Sequence, residues 1–194
     1  MLTEVSSSPF VPVALGFFGL GTGYLVWGPQ ELWDFPRRDD AVDRALGVWG
    51  IFLPGLCQLV TGILIFVGLT WFPVFDARPL YVAAVAFTAF GIHWFALGWN
   101  RYRGNDARPN AGMSVAFVWL SAVAAFVLFG ADIWAEGVLF VLLALVYLAD
   151  LALALGVARA GRALGAVHLV TGLWLMYLTA ATLVNVADGW SLPA

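Results

Sequence analysis

The chain lacks lysine altogether, and its 194 residues include only one cysteine, two histidines and 11% charged side chains. Each shortage excludes a class. A soluble domain carries about 25% charged residues, so this chain is not built for water as its main solvent. Nine arginines against twelve acidic residues give a net charge of -3, which leaves no cationic face for a phosphate backbone and excludes nucleic acid as a partner. The single Cys57 sits inside an apolar run, so a disulfide framework is excluded. Two histidines and one aspartate within apolar runs make no HExxH pair, no paired-aspartate pattern and no serine with an evident histidine partner. No catalytic residue, no metal site and no cofactor is therefore expected. No Walker motif is present either, so ATP-driven pumping is not expected.

What the chain has is apolar length: 62% hydrophobic residues and a mean hydropathy of +0.91. A bilayer core about 30 Å thick needs about 20 apolar residues of helix. Six runs meet this, at residues 10–27, 45–67, 79–99, 111–129, 137–157 and 164–186. The expectation is an all-α membrane protein, a single six-helix transmembrane bundle over 1–194, multi-pass in the cell membrane. The first run begins at Phe10, after a segment with Glu4 and three serines but no basic residue, so it is expected to persist as a helix and not as a cleaved signal. Residues 28–44, rich in charge from Glu31 to Arg44, are expected to form a solvated connection.

Cytoplasmic loops carry the basic excess. Arg37, Arg38 and Arg44 fall in the first loop, Arg101, Arg103 and Arg108 in the third, and Arg159 and Arg162 in the fifth, against Arg78 alone on the opposite side. This places the odd loops in the cytoplasm and both termini outside. Trp27, Trp71, Tyr81, Trp99, Tyr102 and Trp134 at run edges fit interfacial belts.

Small residues repeat at helical spacing. Gly16, Gly19 and Gly23 share one side of the first run, and Gly55 with Gly62, Gly91 with Gly98, and Gly165 with Gly172 lie seven apart. Tight helix packing accounts for such stripes in any membrane bundle, and a functional reading adds room around an axis. Polar groups inside the runs say more, because an unpaired one in hydrocarbon costs several kcal/mol. They are Gln58 and Thr61 in the second run, Thr88 and His93 in the third, Asp150 in the fifth, and His168, Thr171, Tyr177, Thr182 and Asn185 in the sixth. His93, Asp150 and His168 fall at similar depth, near the arginine-rich end. They form either a structural aspartate–histidine lock or a proton-linked gating cluster.

The segments Gly50-Ile51-Phe52 with Gly55, Gln58 and Gly62, and Ala86-Phe87-Thr88-Ala89-Phe90-Gly91-Ile92-His93-Trp94, resemble the acetate uptake transporter family. Gly165, Gly172, Tyr177 and Asn185 add to the match, as does Leu15-Gly16 with Gly19 and Gly21, which looks like the end of that family's N-terminal signature. Val11 and Ala14 depart from its leading asparagine and second proline. A related family, the urea and short-amide channels, is also resembled, through Phe90-Gly91, Asn100, Gly104, Asp106, Arg108-Pro109 and Ser114. Both resemblances imply six helices per protomer, a central pore in each protomer, and a homo-oligomer, a hexamer.

The acetate-family resemblance also implies an apolar pore constriction, which carries over to Leu20, Phe90 and Leu145. Such a ring dehydrates a carboxylate without offering a partner, and no arginine lies inside the runs to supply one. The solute expected is small and neutral or protonated. Acetate and other short monocarboxylates, moved as the neutral acid or with a proton, fit this. So do urea and short amides, with Gln58, Thr88, Tyr177 and Asn185 as pore polar groups. A non-transporting assembly subunit, whose glycines only pack helices, is the alternative of another class.

Overall fold

The computed structural model describes residues 11–194. The expected start at Phe10 and the polar segment before it lie outside the described residues. Six helical rods run through the rest: α1 Val13–Trp33, α2 Asp40–Thr70, α3 Pro79–Arg103, α4 Asn110–Gly130, α5 Trp134–Ala154 and α6 Ala160–Asp188. Among the described residues there is no strand. Five of the rods, α2 to α6, are long and apolar enough to cross a membrane. The 21-residue α1 falls short in apolarity because five glycines and a Pro29-Gln30-Glu31 tail dilute its run.

The ends are set by ordinary capping chemistry. The Asp39 side chain accepts from the Val42 amide at 2.8 Å and starts α2, and Pro79 stands in the first turn of α3, where its missing N–H costs nothing. Gly104 and Gly189 close α3 and α6 in the left-handed region, at φ 64° and 69°. In α2 the residues Ile51–Leu56 form a π turn around Pro54, which widens the helix where a proline cannot donate to the ladder.

Each rod packs chiefly on its neighbours in sequence, and α1 closes the circle against α6. The order around the bundle is therefore the order along the chain. The α2–α3 seam is the most extensive, the α1–α6 seam follows, and α3–α4 is the sparsest. Glycines make the close seams possible. A Cβ on Gly165 would meet the backbone of Glu31 and Leu32, one on Gly98 would meet Gly47 and Ile51, and one on Gly62 would meet Thr88. A ring of six rods has an axis, and most of the side chains that line the cavities along it come from α1, α3 and α5.

Candidate functional site

On α1, α3 and α5, Leu20, Phe90 and Leu143 are buried and line one cavity of about 310 Å³ that opens toward the 71–78 and 131–133 connections. Its walls are Phe17, Leu80, Ala83, Phe87, Leu139 and Phe140, and among the described residues only Gln58 and Glu136 bring polar groups to it. Gln58 is buried and its Oε1 has no hydrogen-bond partner.

One helical turn beyond the three apolar residues, on the same faces, stand Tyr24, Trp94 and Tyr147. They line a second, smaller cavity of about 60 Å³. The two cavities are separated by the layer of Leu20, Phe90 and Leu143. Phe90 reinforces that layer by stacking on Tyr147, with ring centroids 5.7 Å apart and planes 9° from parallel, and by packing on Phe117 at 5.0 Å.

The buried titratable side chains of the bundle converge on the small cavity: Glu31, His93, Tyr147, Asp150 and His168 all line it. Their pairing is specific. His168 Nδ1 lies 2.6 Å from Glu31 Oε2, and the imidazole stacks on the Tyr24 ring at 4.5 Å. His93 Nδ1 lies 2.7 Å from the Phe90 carbonyl, which can only accept, so this nitrogen carries a proton, and Nε2 lies 3.1 Å from the Tyr147 hydroxyl. The Ser114 hydroxyl sits 2.6 Å from Asp150 Oδ2 and 2.9 Å from the Asn110 carbonyl. The Tyr24 hydroxyl and Trp94 Nε1 are buried without a partner.

Trp27, Glu31, Asn110 and Asp150 also border a wider vestibule of about 830 Å³ at the end that carries the first, third and fifth connections. Here Arg101 is nearly buried. Its Nε donates to Asp43 at 3.0 Å, its terminal amine donates to Gln30 Oε1 at 2.6 Å, and the guanidinium lies 4.5 Å above the Trp27 ring. In the 104–109 connection, Arg108 donates to Asp106 at 2.8 Å and holds its carboxyl down at about 2, below the ordinary carboxylate range.

Leu20 and Phe90, expected at a constriction, are buried and line the apolar cavity. Leu145 does not. It is 46% exposed on the outer face, while Leu143 is 1% exposed and faces the axis. Two residues advance a helix by about 200°, so the substitution of one for the other reverses the face. His93, Asp150 and His168 do share one cavity, but Asp150 pairs with Ser114 and no histidine. The carboxylate partner of His168 is Glu31, which the sequence reading placed in a solvated connection. It stands in the last turn of α1, because that helix continues through Gly28 and Pro29 to Trp33.

The other expected polar contacts are used elsewhere. Asn185 clamps the backbone of Leu192, donating from Nδ2 and accepting at Oδ1, both at 2.8 Å. Tyr177 stacks on Trp174 at 5.1 Å and is partly exposed, and Thr88 is wedged against Gly62 with Oγ1 unpartnered. None of these three lines the axial cavities. Thr61 approaches the Pro12 carbonyl at 3.4 Å, while Thr171 and Thr182 bond back to Val167 and Leu178.

The glycines face neighbouring helices: Gly16 meets Phe87, Gly19 meets Leu53 and Cys57, Gly23 meets Pro54, Gly55 and Gly91 meet each other's backbone, and Gly172 meets Gly21 and Leu25. Trp71, Tyr81, Trp99, Tyr102 and Trp134 are exposed at the rod ends, but Trp27 is buried and donates to the Leu46 carbonyl at 3.0 Å. Among the described residues no group of three or more His, Cys, Asp or Glu is placed to hold a metal ion.

No protein-family model matches the sequence, and no curated protein does. Among solved structures, the fold is similar to that of the bacterial acetate channel SatP, with a TM-score of 0.75 over 94% of this chain and 96% of that chain, at 17% sequence identity. At that identity the likeness is one of fold. Together with the five apolar rods it makes this chain a multi-pass membrane protein that shares its architecture with a channel.

Proposed function

We propose that the chain is a membrane channel for acetate and related short monocarboxylic acids, which pass as the neutral acid or with a proton. One observation carries this reading: a layer of Leu20, Phe90 and Leu143 divides an apolar vestibule, with no basic side chain among the described residues, from a chamber lined by Glu31, His93, Asp150 and His168. A bare carboxylate has no counter-charge at that layer, and the protonated acid needs none. Glu31, His168 and Asp150 stand on the arginine-rich, cytoplasmic side, where a neutral acid that has crossed the layer can release its proton and a carboxylate coming from the cytoplasm can take one up. The fold shared with an acetate channel supports the same reading.

α1 then serves as a sixth span, since it lies along α6 for its length and supplies Leu20 and Tyr24 to the axis. The arginine balance puts both termini outside, and the protomer, with its own pore, assembles as a hexamer. Radiolabelled acetate entering proteoliposomes faster as the external pH falls is the expected result. No protein-dependent uptake at any pH overturns the proposal.

A second reading, a urea or short-amide channel, draws on Gln58, Tyr24 and Trp94, whose neutral polar atoms flank the layer without partners. It predicts swelling of vesicles in urea or acetamide. If neither solute moves, the non-transporting assembly subunit becomes the reading to test.

A further inference from the structure

The axial cavity on the apolar side is larger than acetate requires. At about 30 Å³ for each non-hydrogen atom with its hydrogens, a space of about 310 Å³ is less than half filled by acetic acid and largely filled by hexanoic acid. Its polar groups are unevenly placed. Gln58 lies at the inner end, since its neighbour Cys57 packs on Gly19, one residue from Leu20. Its Oε1 is buried without a donor. A carboxylate can use only the amide N–H of Gln58, whereas a protonated carboxyl matches the amide at both ends, giving its O–H to Oε1 and accepting from Nε2 at its carbonyl. Among the described residues Glu136 is the one ionisable side chain on the wall. Among the described residues, apolar walls with a single buried amide at the inner end describe a receptor for a small amphiphile held head inward.

We propose that this vestibule binds the neutral form of straight-chain monocarboxylic acids from butyric to hexanoic acid, with the carboxyl on Gln58 and the alkyl chain against Leu80, Ala83, Phe87 and Phe140. The proposal rests on the channel reading above and deepens it, because it extends the solute class from acetate toward longer acids. Each methylene that leaves water for these walls tightens binding by about three- to fourfold.

The test uses the full-length protein in lipid nanodiscs and in proteoliposomes. Equilibrium binding of radiolabelled butyric, pentanoic and hexanoic acids to loaded nanodiscs, less that to empty ones, is expected to tighten about three- to fourfold per methylene. The same series is expected to inhibit acetate uptake with the same gradient. Ala83→Phe fills the vestibule and is expected to erase the gradient, while Gln58→Leu weakens every acid by a similar factor and keeps the slope. A flat series with the wild-type protein overturns the proposal without recourse to any variant. A gradient in binding without acetate uptake keeps the site and removes the channel reading. Uptake with a flat series keeps the channel and removes the site.

Discussion

His168 Nδ1 and Glu31 Oε2 lie 2.6 Å apart, which ties the last turn of α1 to α6 across the seam that closes the ring. A hydrogen bond with an ionised partner contributes about 1.5–3 kcal/mol, and here it also fixes an exchangeable proton beside the axis. Glu31→Gln keeps the shape and removes the charge. Acetate uptake followed against pH in proteoliposomes is expected to lose its steepness in this variant and to shift in Asp150→Asn. A profile unchanged in both assigns the pair, and Asp150, to packing.

The facing of α5 gives a paired comparison. Leu143→Ala removes a buried side chain from the dividing layer and Leu145→Ala removes one from the outer face. The first is expected to raise leak of solutes larger than acetate and to destabilise by about 2–5 kcal/mol, and the second to do neither. Phe90→Ala is expected to raise leak further. Equal leak from the two leucine variants places the layer elsewhere.

Gly91 and Gly112 separate packing from propensity. A Cβ on Gly91 would press on the backbone of Leu59 and Gly55, and one on Gly112 would meet nothing. Gly91→Ala is expected to destabilise by about 1–3 kcal/mol, whereas Gly112→Ala, in an exposed stretch of helix, stabilises by up to about 1 kcal/mol. Thermal unfolding in detergent reads both.

The Asp106–Arg108 pair limits where a pH response can arise. The folded carboxyl is held at about 2, below its ordinary value of 3.8. Whatever order the pair lends its loop is thus complete above the ordinary value and lost as the pH falls toward about 2. Arg108→Ala is therefore expected to leave the uptake profile between about pH 5 and 8 unchanged. A changed profile points to the loop as part of the gate.

The rods were legible because a bilayer demands a fixed apolar length, and six runs of that length stand out in this sequence whatever they pack against. Which face each rod turns inward was not. Phe140-Val141-Leu142-Leu143-Ala144-Leu145 is apolar at every position, so periodicity is silent there. The polar residues beyond it did hold the signal, since Leu143 lies four residues before Tyr147 and seven before Asp150, on their stripe. The stripe of Leu20, Tyr24, Trp27 and Glu31 was hidden for a different reason. Gly28-Pro29 reads as a break, yet α1 passes through it and carries Glu31 into the chamber. Asn185 was misplaced because an amide near a helix end can fold back on its own chain, here onto Leu192, and spacing does not register that.

Because neighbours in sequence are neighbours in space, nascent helices entering the bilayer one after another each find a partner already waiting. The axis is another matter. It is enclosed only when α6, the last rod made, meets α1, the first, and lays Gly165 and Gly172 against its backbone. Until that meeting there is a curved palisade open to lipid along one side. Enclosure of the axis therefore requires the sixth rod, and a chain lacking it would leave that side exposed to lipid.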